Sequence, residues 1–219
     1  TANNLAAIND ALNSAAVTGA QTNTALKVQA IVDAFNAVLS EANGTAADAT
    51  PDADPTAAQY AAIGVTGVDT SAKVALLGDV IGNQTQGAVD GVAKIQTLAN
   101  TVAAVVTYTA ASGQSVPTKT QLDSLATGIT ADNLASVQAA IATANADGTP
   151  IATQAELQTV IDAAIAHYQT ALNTLQTAAQ DNTASNATTG LAVYQDLGIK
   201  GVTANNLAAI NDALNSAAV

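Results

Sequence analysis

Residues 1–17, TANNLAAINDALNSAAV, return letter for letter as residues 203–219. Chance does not produce an identity of that length, and it sets a period of 202 residues, from Thr1 to Thr203. A chain with such a period is made of units that recur, and recurring units bury their faces by stacking like on like. The expectation is one long unit followed by the opening of the next, within a parent protein that repeats the unit in series. With no Met and no leader-like start, the chain reads as an internal fragment.

Weaker repeats lie inside the long one. Thr130-Ala131-Asp132-Asn133-Leu134-Ala135 matches Thr1-Ala2-Asn3-Asn4-Leu5-Ala6, and Tyr60-x-x-Ile63-Gly64-Val65-x-Gly67-Val68 matches Tyr194-x-x-Leu197-Gly198-Ile199-x-Gly201-Val202. Gly128-Ile129-Thr130 gives a third copy of the joint. Taking Thr1, Asp69, Thr130 and Thr203 as equivalent starts divides the chain into modules 1–68, 69–129 and 130–202. Residues 203–219 are then the first helix of the next super-repeat.

The joints suggest how each module begins. Gly supplies the left-handed backbone that ends a helix, and the Thr or Asp two positions later can cap the next. Val202 with Leu207, and Ile129 with Leu134, have the spacing of a hydrophobic staple. At Asp69 the pattern is imperfect, because position 73 is Lys and the apolar residue falls at Val74.

Apolar stripes of helical period follow. Leu5, Ile8 and Leu12, and likewise Leu134, Val137 and Ile141, mark a medium first helix. Longer second helices carry Val28, Ile31, Val32, Phe35, Val38 and Leu39; Val89, Val92, Ile95, Val102, Val105 and Val106; and Leu157 through Leu175. A short third helix is expected around Tyr60, Leu122 to Leu125, and Leu191 to Leu197. The β-branched run Val102–Tyr108 also allows a strand, but the period preceding it favours helix. The apolar content of 49% is mainly Ala and Val, with 2% aromatic residues, so any core needs many close-packed helices. The expected fold is all-α: tandem three-helix bundles in a linear array, not one globule with a shared interior.

Charge and composition exclude several functions. Five Lys, no Arg and 17 acidic residues give a net charge of −12, which repels nucleic acid and anionic membrane alike. Zero Cys removes disulfides and thiolate chemistry, and no 18-residue apolar span is present. The scarcity of oxidisable and protease-sensitive side chains fits a compositional bias of one genome or, as favoured here, selection for life outside a bacterial cell.

Residues that could carry chemistry are few. His167 is the only His and has neither a nucleophile nor a carboxylate pair at a useful spacing, so no catalytic triad or zinc site is expected. Asp48, Asp52 and Asp54 could bind Ca²⁺ on a loop, but they lack the order of an EF-hand and read as a solvated acidic loop. Asn43, Asn83 and Asn186 head Asn-x-Thr triplets, which are common in so Asn- and Thr-rich a chain. Gly78, Gly82, Gly87 and Gly91 have no following Gly-Lys-Ser/Thr, so they read as a loosened helix junction in the middle module, not a phosphate loop. No catalytic, cofactor-binding or metal-ligating residue is assigned, and no cofactor is implied.

The phrase Gly201-Val202-Thr203-Ala204-Asn205-Asn206-Leu207-Ala208-Ala209-Ile210-Asn211, with a later helix of the type Val28–Ala34, resembles the GA-type albumin-binding three-helix modules of bacterial surface proteins. The loop between those two helices is several residues longer here, and no binding residue is carried over. The Ala/Thr/Asn/Asp-rich tandem character resembles the repetitive regions of giant secreted adhesins of Gram-negative bacteria, without their Gly-Gly-x-Gly-x-Asp calcium repeats. That resemblance implies an extracellular, cell-surface spacer, stalk or fibre segment serving adhesion, biofilm or filament scaffolding. Its partners would be neighbouring repeats, further copies in a fibre, or a host or matrix protein. The competing expectation is a set of binding modules that recognise a host protein or neighbouring copies.

Overall fold

The computed structural model describes residues 2–14, 17–44, 54–148, 150–181 and 189–214. They form ten α-helices: α1 (Ala2–Leu12), α2 (Ala25–Glu41), α3 (Ala57–Ala62), α4 (Ser71–Gly82), α5 (Val92–Val106), α6 (Lys119–Asp123), α7 (Leu134–Ala146), α8 (Gln154–Asp181), α9 (Leu191–Asp196) and α10 (Leu207–Leu214). A single 3-10 turn, Gln86–Ala88, precedes α5. No strand occurs among the described residues, and the run Val102–Val106 is the end of helix α5. The all-α expectation holds.

Helix starts follow local chemistry. Thr24 caps α2 and Thr70 caps α4 through side-chain oxygens that accept from Lys27 N and Lys73 N. The cap at α4 is thus Thr70 and not Asp69, and this one-residue shift makes Val74 the fourth helical residue. Asp69 pairs instead with Lys73 at 2.6 Å. Thr56 with Gln59, and Thr118 with Gln121, form full capping boxes on the short helices α3 and α6. Thr130 does not cap α7 directly. Thr130 N donates to Asn133 Oδ1 and Asn133 N to Thr130 Oγ1, closing a turn, and α7 begins only at Leu134. Likewise α5 begins after Val89, because Gly87 lies in the 3-10 turn and Gly91 is the N-cap.

Packing is mostly between neighbours in sequence: α1 on α2, α2 on α3, α4 on α5, α5 on α6, α7 on α8, and α8 on α9. Further contacts join α1 to α5, α2 to α4, and α4 to α8. Most of the buried apolar residues form one contiguous cluster from Ala7 to Ala164, with Phe35, Tyr60, Leu76, Ile95, Leu122, Ile141 and Leu157 fully enclosed, while Ala171, Ala178 and Tyr194 are buried outside it. The core therefore runs on through 68/69 and 129/130, because α1 and α4 are each covered by the second helix of the following set. Polar ties cross the same line. Buried Asn145 on α7 donates to Val105 O at 2.7 Å and Tyr108 O at 2.9 Å, closing the end of α5 against α7. At 28 residues, α8 is about 42 Å long. Its first half enters the core through Leu157, Ile161 and Ala164, and α9 packs on it with Tyr194 buried.

Candidate functional site: the joints between helix sets

The short helices α3 and α9 end alike. Gly64 and Gly198 take left-handed φ values of 92° and 69°. The amide three residues past each helix then reaches back, with Val65 N on Tyr60 O and Ile199 N on Tyr194 O, both at 2.9 Å. This is the Schellman closure that turns the chain out of a helix. Tyr60, Leu122 and Tyr194, each four residues past its N-cap, are the buried anchors of the three short helices.

The first two joints, at Thr66 and Thr127, are each gripped from the following helices by one glutamine. Thr66 N donates to Gln96 Oε1 at 2.8 Å, while Gln96 Nε2 donates to Thr66 O at 3.1 Å. Thr127 N donates to Gln158 Oε1 at 3.0 Å, while Gln158 Nε2 donates to Thr127 O at 3.3 Å. Both glutamines also donate to the residue four positions on, Asn100 or Asp162, at 2.8 Å. The amide side chain matches the peptide as donor and acceptor at once, the pairing a bent chain segment needs when no strand is available.

A second contact repeats beside the first. Asp10 Oδ2 on α1 accepts from Val92 N, the first residue of α5, at 2.8 Å. Asp79 Oδ2 on α4 accepts from Gln154 N, the first residue of α8, at 2.9 Å. A carboxylate at a helix N-terminus satisfies an orphan amide and opposes the helix dipole. Asn83 and Gln154 extend this second contact by hydrogen-bonding each other, and Gln154 Nε2 donates to Leu125 O at 2.7 Å.

The residues singled out from sequence are not brought together. His167 is exposed on α8, at the edge of a groove shared with α7 and α9. Asp48, Asp52 and Asn186 lie outside the described residues, and no cluster of three or more metal-ligating side chains occurs among the described ones. Asn83 is absorbed in the contact with Gln154. Asn43 forms an isolated antiparallel bridge with Thr85.

Gly78 is neither phosphate loop nor junction. It lies within α4, where a Cβ would fall 2.5 Å from Asp54 Oδ1. Partial burial, and then the charge of Asp79, hold the Asp54 carboxyl above its ordinary value of 3.8. Its proton is therefore held more tightly in the folded chain than in the unfolded one. That favours the fold below pH 3.8 and is lost as pH rises through the raised value. Asp54→Asn should stabilise the chain at pH 7 by less than about 1 kcal/mol, since solvent screens the pair. Melting curves at pH 3 should show no such gain.

The glutamine pattern was present in the sequence as Gln96-x-x-x-Asn100 and Gln158-x-x-x-Asp162, but amides at that spacing are ordinary on solvated helix faces. The signal that would have found them is their shared register, five residues after the helix caps Gly91 and Thr153. Comparison with known proteins returns no match: no family model, curated protein or solved structure aligns with the chain.

Proposed function

We propose that the chain is a non-enzymatic structural segment of a repetitive extracellular bacterial surface protein, a spacer, stalk or fibre element whose product is reach. The observation that supports it is the repetition of one contact. The joint after one helix set is gripped by a glutamine of the next, at Thr66–Gln96 and again at Thr127–Gln158. In this reading the sets 1–68, 69–129 and 130–202 are three-helix modules. They lean on one another through a common interior, as stacked repeats do, and are not strung as separate beads. A surface of −12 net charge keeps such a chain soluble and opposes sideways aggregation.

Small-angle scattering on chains of one, two and three periods tests this. A spacer gains a constant increment of maximum dimension with each period. Growth with the cube root of mass would mean a globule and would remove the reading. Retention of a single serum or matrix protein by all three chains would favour binding modules instead.

A further inference from the structure

The second helix of the first set carries the same clamp, and among the described residues no joint lies in it. Gln29 stands five residues after the cap Thr24, as Gln96 and Gln158 stand after theirs, and donates to Asp33 four positions on at 2.8 Å. The neighbours agree. Ile95 and Ala99 on α5, and Leu157 and Ile161 on α8, are buried, whereas Val28 and Val32 at the matching places on α2 are only half-buried. Leu26, in the first turn of the same helix, is 83% exposed.

The other half of the contact is open at the far end of the unit. In the joint Gly198–Val202, Ile199 corresponds to Val65 and Ala126, aligned on Gly201, Gly67 and Gly128. Val65 and Ala126 are 3% and 9% exposed, but Ile199 is 45% exposed. Lys200 occupies the place of Thr66 and Thr127, whose amide and carbonyl the glutamines hold. The spacing closes as well. Thr66 and Thr127 precede their glutamines by 30 and 31 residues. Carried forward by the 202-residue period, Gln29 falls 31 residues after Lys200.

From these matches we propose that the α2 face around Val28, Gln29 and Val32 is the docking surface for the Gly198–Val202 joint of a preceding copy of the same unit. Gln29 binds the amide and carbonyl of Lys200 and encloses Ile199. The partner is a copy of this chain because the contact it completes already occurs twice within the chain. Its neighbour, the groove between α7, α8 and α9 lined by Ser136, Ala139, Ala140 and Thr143, receives the start of the incoming α2. Ala139 stands where α1 has Asp10 and α4 has Asp79, so this boundary lacks the carboxylate cap and the glutamine grips alone. The proposal rests on the repetitive reading above only for the identity of the partner.

Trypsin tests it on the full chain extended by one period, residues 1–202 joined to residues 1–219. Lys200 is exposed and lies outside any helix, and the chain has no Arg. Cleavage after the first Lys200 should be roughly tenfold slower than after the second, which has no following α2 and serves as the internal reference. Gln29→Ala in the second copy should abolish the difference, and Gln29→Ala in the first copy should leave it unchanged. Hydrogen exchange at the Lys200 amide gives the second measurement, with protection expected in the first copy only. Equal cleavage of both sites, or protection that survives Gln29→Ala in the second copy, overturns the proposal. The scattering series is a separate readout. Linear growth with both sites cut equally defeats this interface alone, and compact growth with a protected first site defeats the spacer reading alone.

Discussion

Leu157→Ala is expected to cost the chain about 2–5 kcal/mol, and Val28→Ala at the matching place on α2 less than about 1 kcal/mol. Both residues lie four positions after a helix cap and directly before a clamp glutamine. Leu157 is completely enclosed, so removing its isobutyl group opens a cavity that α4, α7 and the 125–129 joint cannot fill without moving. Val28 is half in water, so its truncation loses part of a smaller side chain and leaves no void. Ile95→Ala on α5 should behave as Leu157→Ala does, because Ile95 is equally enclosed. Urea titrations of the three variants give the comparison. A Val28→Ala cost as large as that of Leu157→Ala would show that α2 is already covered and would remove the vacancy on which the docking surface depends.

The parts of this fold legible in the sequence are those set by local chemistry. The stripes from Val28 to Leu39 and from Leu157 to Leu175 appear as α2 and α8, because a 3.6-residue apolar period has one regular solution. The short third helices were legible through Tyr60, Leu122 and Tyr194, which need burial at one point only. What was not legible is which helix covers which stripe. Periodicity shows that α1 and α4 have apolar faces, but not that α5 and α8 close them from across a joint. The continuous interior is therefore not encoded in the periodicity of any one helix. Leu134, Val137 and Ile141 do mark α7, but the helix begins only at Leu134 because Thr130 and Asn133 first bind each other's amides in a closed turn. The clamp glutamines were hidden because their partners are peptide groups, which every residue has, some 30 positions away.

Gly198→Ala should destabilise the chain by about 2–4 kcal/mol, far more than the same change at Gly201. Both glycines are left-handed, with φ of 69° and 86°, so both substitutions carry the strain of an L side chain there, about 1 kcal/mol or somewhat more. Gly201 faces open space, and its cost ends with that strain. Gly198 is pressed onto α7. A Cβ there would lie 2.5 Å from the Cβ of Ala135 and 3.3 Å from its carbonyl carbon, with no flexible side chain to yield. Relief requires α9 to lift from α7, and the next contact resists it, since Ser136 Oγ on α7 hydrogen-bonds Asp196 O at the end of α9. Overpacking of this kind adds about 1–3 kcal/mol to the backbone strain. Denaturant melts of the two variants against the parent measure both costs. If Gly198→Ala proved no worse than Gly201→Ala, α9 would not be seated on α7, and the joint could not hold Ile199 and Lys200 in place for a following copy.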